Sequence, residues 1–505
     1  MRAASVLAHV FQEVLPMMGS KAVEPKLYLS FSLDAAIPAN HLVRRLAAAV
    51  DFDFVRGLVR QHYSHTGQPS VDPAVLFKLW LLGYLYNIRS ERRLCEEAAL
   101  NLAWRWLLGY ELDQPLPDHS VLSKARCRFG TRVYEQFFAR IVQLCERAGL
   151  VQGDVLFVDS TLTQANAATQ GLRSRSLLQQ TLPRPAEFVE GLWAVNDTEE
   201  DGSPPDIWRK PNTGRSGVNH FCVSPVDRDA QMFKKYGTTP LLSHKTHFVV
   251  DGGQAAIITA VEVTGSCVPD GRSVGKLLDK HRAVLGRPAR GLVADRGYGS
   301  EAAVLACVER EVEPWLARRE TINTHGGLSR NEFTYVSERD LYVCPAGKEL
   351  RRFRFKPSVN DAQYRPRRGT CRDCQLRDRC VSGAGDRVIR RSDHSALLEA
   401  MQDRLSTRRG RALLRRRHIV SERINADAKA KHGMARAQFH GRAKMQIQAL
   451  LTAAVINLKQ LVARRPEVQS GLAALEPSYQ RLIGVIFRVL GPSQHGFDPR
   501  LNFGV

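Results

Sequence analysis

The sequence predicts an α/β protein in which a mixed-sheet core follows an all-helical N-terminal domain and is interrupted by a cysteine-rich insertion. Three observations favour this class. Residues 30–150 carry helix start signals and apolar periodicity. Residues 151–319 follow the order strand, hairpin, helix, strand. Four of the ten cysteines fall within residues 344–380. The chain therefore divides into an N-terminal extension (1–29), a helical domain (30–150), a first core segment (151–319, with a polar insertion at 166–243), a basic cysteine-bearing insertion (320–400), a last core segment (401–465) and a C-terminal tail (466–505).

The net charge indicates a polyanionic partner. The 505 residues include 73 Lys and Arg against 51 Asp and Glu, a formal charge of +22. An excess of this size usually accompanies nucleic-acid binding. The N-terminal stretch lacks a continuous apolar segment, and no run of about 18 uncharged apolar residues occurs. We therefore expect a cytoplasmic protein with no membrane partner, associated with the nucleoid when bound to DNA.

Residues 30–150 predict a set of helices that ends in a basic member. Asp72 is placed to cap a helix that begins at Pro73, and a second helix is expected from Ser90 to Gly109. A third follows the segment "PLPDHS" and carries three basic residues too closely spaced for all to be buried: Lys124, Arg126 and Arg128. The pattern fits a helix-turn-helix module that contacts DNA. It equally fits a plain helical bundle with solvated charges.

Two apolar runs in the core segment each lead into an aspartate. "GDVLFVDS" ends its apolar run at Asp159, and "RGLVADRGYGS" ends its own at Asp295. Between them, two strand-like runs meet at Gly252 and Gly253, and "DGRSVGKLLDKHRAVLG" is expected to be helical. This order suits a mixed sheet with the first and fourth strands adjacent, the arrangement of an RNase H-like core. An isolated Asp usually starts a turn, whereas two carboxylates at neighbouring strand ends need a cation.

A helical segment near residue 420 places an acid among basic side chains. Glu422 alone would be interpreted as half of a surface ion pair. Positions seven apart are nearly eclipsed on a helix, so Arg415, Glu422 and Lys429 share one face. Lys431 and Arg436 continue the basic character. If Glu422 faces a metal site, its basic neighbours lie along the DNA backbone.

The cysteine-bearing insertion shows no regular periodicity over residues 320–400. Cys371 and Cys374 form a C-x-x-C knuckle, with Cys380 after it and Cys344 upstream. Four thiolates suit a tetrahedral structural Zn²⁺ site, and reduced free thiols are the alternative. The surrounding arginines suggest contact with a DNA backbone.

Three blocks resemble the signatures of bacterial insertion-sequence DDE transposases: "VDSTLTQANA", "VADRGYGS" and "SERINADAKAKHGMARAQFHGRAKMQIQALLTAAVINLKQL". "FSLDAAIPANHLVRRL" and "PDHSVLSKAR" resemble the helical N-terminal region of that family, and "YVCPAGKEL" with "CRDCQLRDRC" resembles its cysteine-bearing insertion. The resemblance implies that Asp159, Asp295 and Glu422 form an acidic triad that holds Mg²⁺ or Mn²⁺. In the family the lysine seven residues after the glutamate recurs, and Lys429 occupies that place.

The same resemblance implies a reaction and its partners. The protein would bind the ends of an insertion sequence, cleave them by two-metal-ion phosphoryl transfer and join the freed 3′-hydroxyl ends to target DNA, as a homodimer on the double-stranded DNA. Tyr298 is expected to be a packing residue, since no covalent protein intermediate is implied. Two alternatives remain open: a catalytically inactive, domesticated DNA-binding zinc protein, and a metal-dependent nuclease without joining activity. The resemblance begins near Met17 or Met18, so residues 1–16 are expected to be dispensable.

Overall fold

The computed structural model describes residues 31–64, 66, 70–174, 217–234, 237–318, 327–356, 361–381 and 383–464. The expected N-terminal extension, most of the polar insertion and the C-terminal tail lie outside the described residues. None of the helices in the described part of the chain combines the length and apolarity needed to cross a bilayer.

Helices dominate the region before the core, as the sequence predicts. They are α1 (Leu33–Ala36), α2 (Leu42–Ala49), α3 (Phe54–Val59), α4 (Pro73–Leu85), α5 (Glu91–Leu100), α6 (Leu102–Leu108) and α7 (His119–Arg147). The Asp72 side chain accepts a hydrogen bond from the Ala74 amide and caps α4. The single helix expected from Ser90 to Gly109 is two helices, because the backbone of Asn101 is extended and its side chain starts a new cap at α6. Gly130, at φ 63°, kinks α7.

The core is a mixed sheet with its first strand in the middle. Its members are β1 (Val155–Gln164), β4 (Gln231–Phe233), β5 (Leu241–Asp251), β6 (Ile258–Gly265), β7 (Gly291–Ala294) and β8 (Glu313–Leu316), while β2 (Arg173–Ser174) and β3 (Cys222–Val223) pair separately. β1 pairs with β7 in parallel and with β5 antiparallel, β6 pairs with β5, and β8 lies outside β7. The expected adjacency of the first and fourth strands is confirmed.

The first strand does not end at Asp159, contrary to the sequence interpretation. It continues to Gln164 because the long strand β5 supplies antiparallel partners throughout, with Asp159 opposite Phe248 and Gln164 opposite Ser243. Only the parallel neighbour stops here, since β7 ends at Ala294 opposite Val158. Asp159 therefore lies where one side of β1 loses its partner.

The cysteine-bearing insertion folds as a five-stranded antiparallel sheet, which the sequence pattern did not predict. Its strands are β9 (Thr334–Val336), β10 (Leu341–Val343), β11 (Glu349–Lys356), β12 (Asp361–Arg365) and β13 (Ile389–Ser392), in the spatial order β13-β12-β11-β10-β9. Tyr342, Leu350, Tyr364 and Ile389 form its buried core with other apolar side chains. Four of the five strands have five residues or fewer, so the alternation of apolar and polar residues is too brief to detect in the sequence.

The remaining helices pack around the core sheet. They are α8 (Gly217–Phe221), α9 (Val274–Leu285), α10 (Glu301–Val308), α11 (Arg377–Cys380), α12 (Ser395–Ser406), α13 (Arg408–Lys431) and α14 (residues 442–464). Apolar residues of α14, of β5 and β6 and of the N-terminal helices belong to one continuous buried cluster. The helical region is thus packed onto the core and shares its interior.

Two amide side chains of α14 satisfy the outer edge of β6. Asn457 accepts from the Ile258 amide at 2.8 Å and donates to the Ile258 carbonyl at 2.7 Å. Gln446 does the same for Val263 and Val261, at 2.8 and 3.0 Å. Edge strands otherwise expose unpaired backbone groups.

Replacing Asn457 with leucine is expected to lower the free energy of unfolding by about 2–4 kcal/mol. Asn457 is fully buried, so the variant leaves two backbone groups of Ile258 without partners and away from water. Urea unfolding followed by circular dichroism measures the change. A loss below about 1 kcal/mol would mean that water replaces the amide at this edge.

Candidate active site

Asp159 and Asp295 lie side by side at the end of β7. Val158 and Ala294 are partners in the parallel register of β1 and β7. Asp159 directly follows Val158, and Asp295 directly follows Ala294. The Asp159 side chain is only 18% exposed. Burial raises the pKa of Asp159 to about 6, against the opposing charge of Arg417 and with the help of the neighbouring Asp295 carboxylate. The two acids therefore repel each other in a site partly shielded from water.

A third carboxylate, which sequence analysis passed over as part of a helix start, completes the acidic group. Asp270 Oδ1 accepts a hydrogen bond from Ser160 Oγ at 3.3 Å and forms an ion pair with Lys245 Nζ at 2.9 Å. Gly297 separates it from Asp295: a Cβ at Gly297 would lie 2.6 Å from Asp270 Oδ2 and 3.1 Å from Asp295 Oδ1. The lack of a side chain at Gly297 lets both carboxylates occupy this edge.

Helix α13 covers the acidic group with two polar side chains. Arg417 Nη1 and Asn425 Nδ2 each lie 3.4 Å from Asp159 Oδ2. They are eight residues apart, about two turns, so they share a face of the helix. Among the described residues, Arg417 Nε and Nη1 and Asn425 Oδ1 are buried atoms without a hydrogen-bond partner. Guanidinium nitrogens donate and amide oxygens accept, so Arg417 lacks an acceptor here and Asn425 Oδ1 lacks a donor or a cation.

The Glu422 carboxylate points away from this group. Its side chain is 63% exposed and pairs with His418 Nδ1 at 3.1 Å. Glu422 precedes Asn425 by three residues, and side chains at that spacing are neighbours on a helix surface. The structure thus brings Asp159 and Asp295 together and leaves Glu422 about one turn from the residue that contacts Asp159. Within the described ranges, no set of three or more His, Cys, Asp or Glu side chains is arranged to hold a metal ion.

A neutral buried layer lies beneath the acids. Tyr298 is fully buried, as expected of a packing residue, and its hydroxyl lies 2.6 Å from His247 Nδ1. Burial lowers the pKa of His247 to about 3, so its imidazole is uncharged at neutral pH. His247 therefore adds no positive charge to the acids, whereas Lys245 contacts Asp270 and Arg417 contacts Asp159.

The basic residues expected on α7 separate into two kinds. Lys124 and Arg128 are exposed, and the Arg128 guanidinium lies 5.1 Å from the Tyr63 ring. Arg126 is 4% exposed, pairs with Glu91 and lies 3.9 Å from the ring of Phe439. The prediction that Arg126 contacts DNA is therefore wrong: it is a packing residue that joins the helical region to the segment before α14.

The basic residues expected around Glu422 lie towards solvent. Arg415 and Arg436 are exposed, and Lys429 is half-buried. Lys431 pairs with Asp427 at 2.5 Å. Arg415, Glu422 and Lys429 thus lie on a more exposed face of α13 that adjoins the inner face carrying Asn425.

The four clustered cysteines line one pocket of the insertion. Cys344, Cys371, Cys374 and Cys380 surround it together with apolar side chains. All four are free thiols, and the Lys348 amide donates to Cys344 Sγ at 3.3 Å. Burial raises the pKa of Cys371 and of Cys380. The fold brings the thiols to one place without arranging them around an ion.

Comparison with protein families gives two matches, one before the core sheet and one from the cysteine-bearing insertion to α14. Residues 31–128 match a model described as "Transposase domain (DUF772)", and residues 343–462 match one described as "Transposase DDE domain". The first covers α1 to the kink region of α7, and the second covers most of the cysteine-bearing insertion, α13 with Glu422, and α14. Neither the curated proteins nor the solved structures gave a match. The two models cover the N-terminal blocks, the cysteine-bearing blocks and the Glu422 block of the resemblance, whereas the blocks with Asp159 and Asp295 lie outside both matches. Together the matches support an insertion-sequence DDE transposase.

Proposed function

We propose that this transposase binds the ends of its insertion sequence, cleaves them by metal-dependent phosphoryl transfer and joins the 3′-hydroxyl ends to target DNA. The observation that carries the proposal is the pair of carboxylates, Asp159 and Asp295, side by side at the end of β7 beneath unsatisfied polar atoms of α13. Like charges held together in a partly buried site favour a bound cation.

The core topology supports an RNase H-like assignment. β1 lies centrally, with the antiparallel strands β5 and β6 on one side and the parallel strands β7 and β8 on the other. In this arrangement the acidic residues gather where β7 ends, and α13 partly covers them.

DDE transposases generally use divalent metal ions such as Mg²⁺. The donor set fits such an ion, because Mg²⁺ prefers oxygen ligands and uses few carboxylates beside water and phosphate. Asp159, Asp295 and Glu422 would hold Mg²⁺ or Mn²⁺, and the bound ions would stabilise charge on the reacting phosphate oxygens. Arg417 and Asn425 orient the Asp159 carboxylate, and Lys245 orients Asp270 beside it. Glu422 would have to leave its contact with His418 to reach the site.

Basic residues supply the DNA contacts. On α7 these are the exposed Lys124 and Arg128, and around α13 they are the exposed Arg415, Lys431 and Arg436 and the half-buried Lys429. We infer that the α13 residues follow the phosphates of the strand being cut, because they surround Glu422 on the outer face of the helix. The α7 residues contribute to recognition of the element's ends, and two protomers on the two ends would form a homodimer.

A strand-transfer assay with the full chain tests this function. DNA from the two boundaries of the element is supplied intact or with pre-cut 3′ ends, together with plasmid target and Mg²⁺. Joined product supports the transposase. Cutting without joining identifies a nuclease, and binding without either reaction identifies a domesticated DNA-binding protein; both results contradict the proposal.

The cysteine pocket is proposed as a structural Zn²⁺ site. Two observations support it: the four thiols line one pocket, and the Lys348 amide donates a hydrogen bond to Cys344 Sγ. Protein purified without added metal is expected to carry about one Zn²⁺ per chain by mass spectrometry, and Cys371→Ser to carry none. Cys127→Ser, which alters an exposed thiol outside the pocket, is the control. Less than about half an equivalent in the native protein would leave the cysteines as reduced thiols.

A further inference from the structure

The central strand of the insertion sheet exposes aromatic rings among arginines. β11 has the sequence ELRRFRFK and lies between β10 and β12. Leu350 is buried in the core of the insertion, whereas Phe353 is 40% and Phe355 36% exposed. A large apolar side chain on a central strand usually packs against the next layer, so the exposure of both rings calls for a ligand.

A β-bulge displays the first of these rings. Pairing with β12 steps from Arg352 opposite Tyr364 to Arg354 opposite Gln363, and Phe353 is the extra residue between them. Bulges redirect a side chain and are often found beside functional sites. The Arg365 guanidinium lies 4.2 Å from the centre of the Phe353 ring, and that of Arg352 lies 5.5 Å from the Phe355 ring. Each ring is thus held next to a positive charge.

The charge around these rings is strongly positive. Residues 349–368 contain six arginines and one lysine against one glutamate and one aspartate. Arg351 and Arg365 are direct cross-strand partners, a placement that destabilises a sheet unless an anion neutralises it. The nearby Glu349 carboxylate is shared between Arg351 and Arg339, at 3.0 and 2.8 Å. The surface therefore suits a polyanion with flat apolar groups.

We propose that this surface binds single-stranded DNA, with an unpaired base stacked on Phe353 and the backbone along the arginines of β11 and β12. Rings for stacking within a basic groove are the recurrent means of single-strand binding. The bases of duplex DNA are already stacked on one another, so a duplex would bind through the arginines and would not stack on the rings. The proposal rests on the proposed transposase function, in which a strand next to the cut end is unpaired.

The insertion sheet contacts the core at β13. Ser392 Oγ of this strand donates a hydrogen bond to Glu301 Oε1 of α10 at 2.5 Å.

Fluorescence anisotropy of the full chain with labelled 15-nucleotide oligo(dT) and a duplex of the same length, without added Mg²⁺, tests this. Phe353→Ala is expected to weaken single-strand binding at least fivefold and duplex binding less than twofold. Phe353→Trp should restore single-strand affinity because it keeps a stacking surface. Phe221→Ala, which removes an exposed ring outside the insertion, should leave both affinities unchanged.

Three results would overturn the proposal: no binding of oligo(dT) by the native chain, unchanged single-strand affinity in Phe353→Ala, or equal losses on single-strand and duplex DNA. Arg365→Gln adds a second measurement, with the slope of log affinity against log salt for oligo(dT) reduced by about 0.7. The outcomes are independent of strand transfer. If the native chain joins ends and Phe353→Ala keeps its affinity for oligo(dT), only the single-strand site is refuted. If Phe353→Ala loses affinity for oligo(dT) and the native chain does not join ends, only the transposition reaction is refuted.

Discussion

Asp159→Asn is expected to abolish end cleavage and joining while making the metal-free protein more stable. Loss of the carboxylate removes a ligand of the ions that stabilise the transition state, and we expect the cleavage rate to fall by at least about 10³-fold. Asparagine is nearly isosteric and can still accept the hydrogen bond from Asn425 Nδ2, so the surrounding side chains keep their places. The gain in stability comes from removing a buried negative charge.

The direction of the stability change follows from the raised pKa of Asp159. Its folded-state pKa is about 6 against an ordinary value of 3.8, so between those values the folded protein binds more protons than the unfolded chain. The stability contributed at this position is therefore lost as the pH rises through about 4–6, and the full cost is present at pH 7. Two pKa units correspond to roughly 3 kcal/mol, a figure that already includes the attraction of Arg417. The buried amide of asparagine needs hydrogen-bond partners of its own, which offsets part of this gain. We expect a net gain of about 1–2 kcal/mol in the free energy of unfolding at pH 7.5 and less than half of that at pH 4.5.

Asp251→Asn is the matched control for a buried aspartate in the same sheet. Asp251 is fully buried and accepts hydrogen bonds from the amides of Gln152, Gly153 and Gly253 at 3.1, 2.7 and 2.9 Å. Asparagine has one acceptor oxygen where three amides donate, so this variant should be destabilised by about 1–3 kcal/mol. Urea unfolding with chelator at the two pH values measures both variants. If Asp159→Asn were destabilised like Asp251→Asn, Asp159 would be a structural residue.

The second prediction decides which acid completes the site. Glu422→Gln is expected to reduce cleavage by at least about 10³-fold while sparing binding to element ends without metal. Asp270→Asn is expected to reduce cleavage by only about tenfold, since Lys245 and Ser160 already occupy its carboxylate and its role is to position its neighbours. Rates of end cleavage in Mg²⁺ and affinities in its absence separate the two roles.

Asp427→Asn is the control on the same helix, because it removes an acid that pairs with Lys431 outside the acidic group. Its cleavage rate should stay within about threefold of the native rate, as for a half-exposed ion pair. The reverse pattern, with Asp270→Asn inactive and Glu422→Gln active, would make Asp270 the third acid. It would also mean that the exposed position of Glu422 persists in the complex.

The acidic pair was predictable because it depends on local patterns and a simple topology. Apolar runs that each lead into an aspartate, joined by a hairpin and a helix, place Asp159 and Asp295 on neighbouring strands, and the register of β1 with β7 confirms this. Asp270, Arg417 and Asn425 were not predictable in the same way. Each comes from a different element, and nothing in the spacing of their residues indicates that they converge on Asp159.

Sequence by itself determined the helical N-terminal region, the adjacency of the strands that lead into Asp159 and Asp295, and the basic, cysteine-bearing character of the insertion, because helix caps, periodicity and charge are encoded locally. Only the tertiary structure decided which charges face solvent. Arg126 lies inside while Lys124 and Arg128, on the same helix, lie outside, since Glu91 and Phe439 come from distant segments to bury it. β1 likewise runs past Asp159 because β5 accompanies it, and Phe353 is displayed by a bulge in the pairing of β11 with β12. Contacts between distant segments determine burial, and burial determines whether a charge binds DNA, a metal ion or another part of the chain.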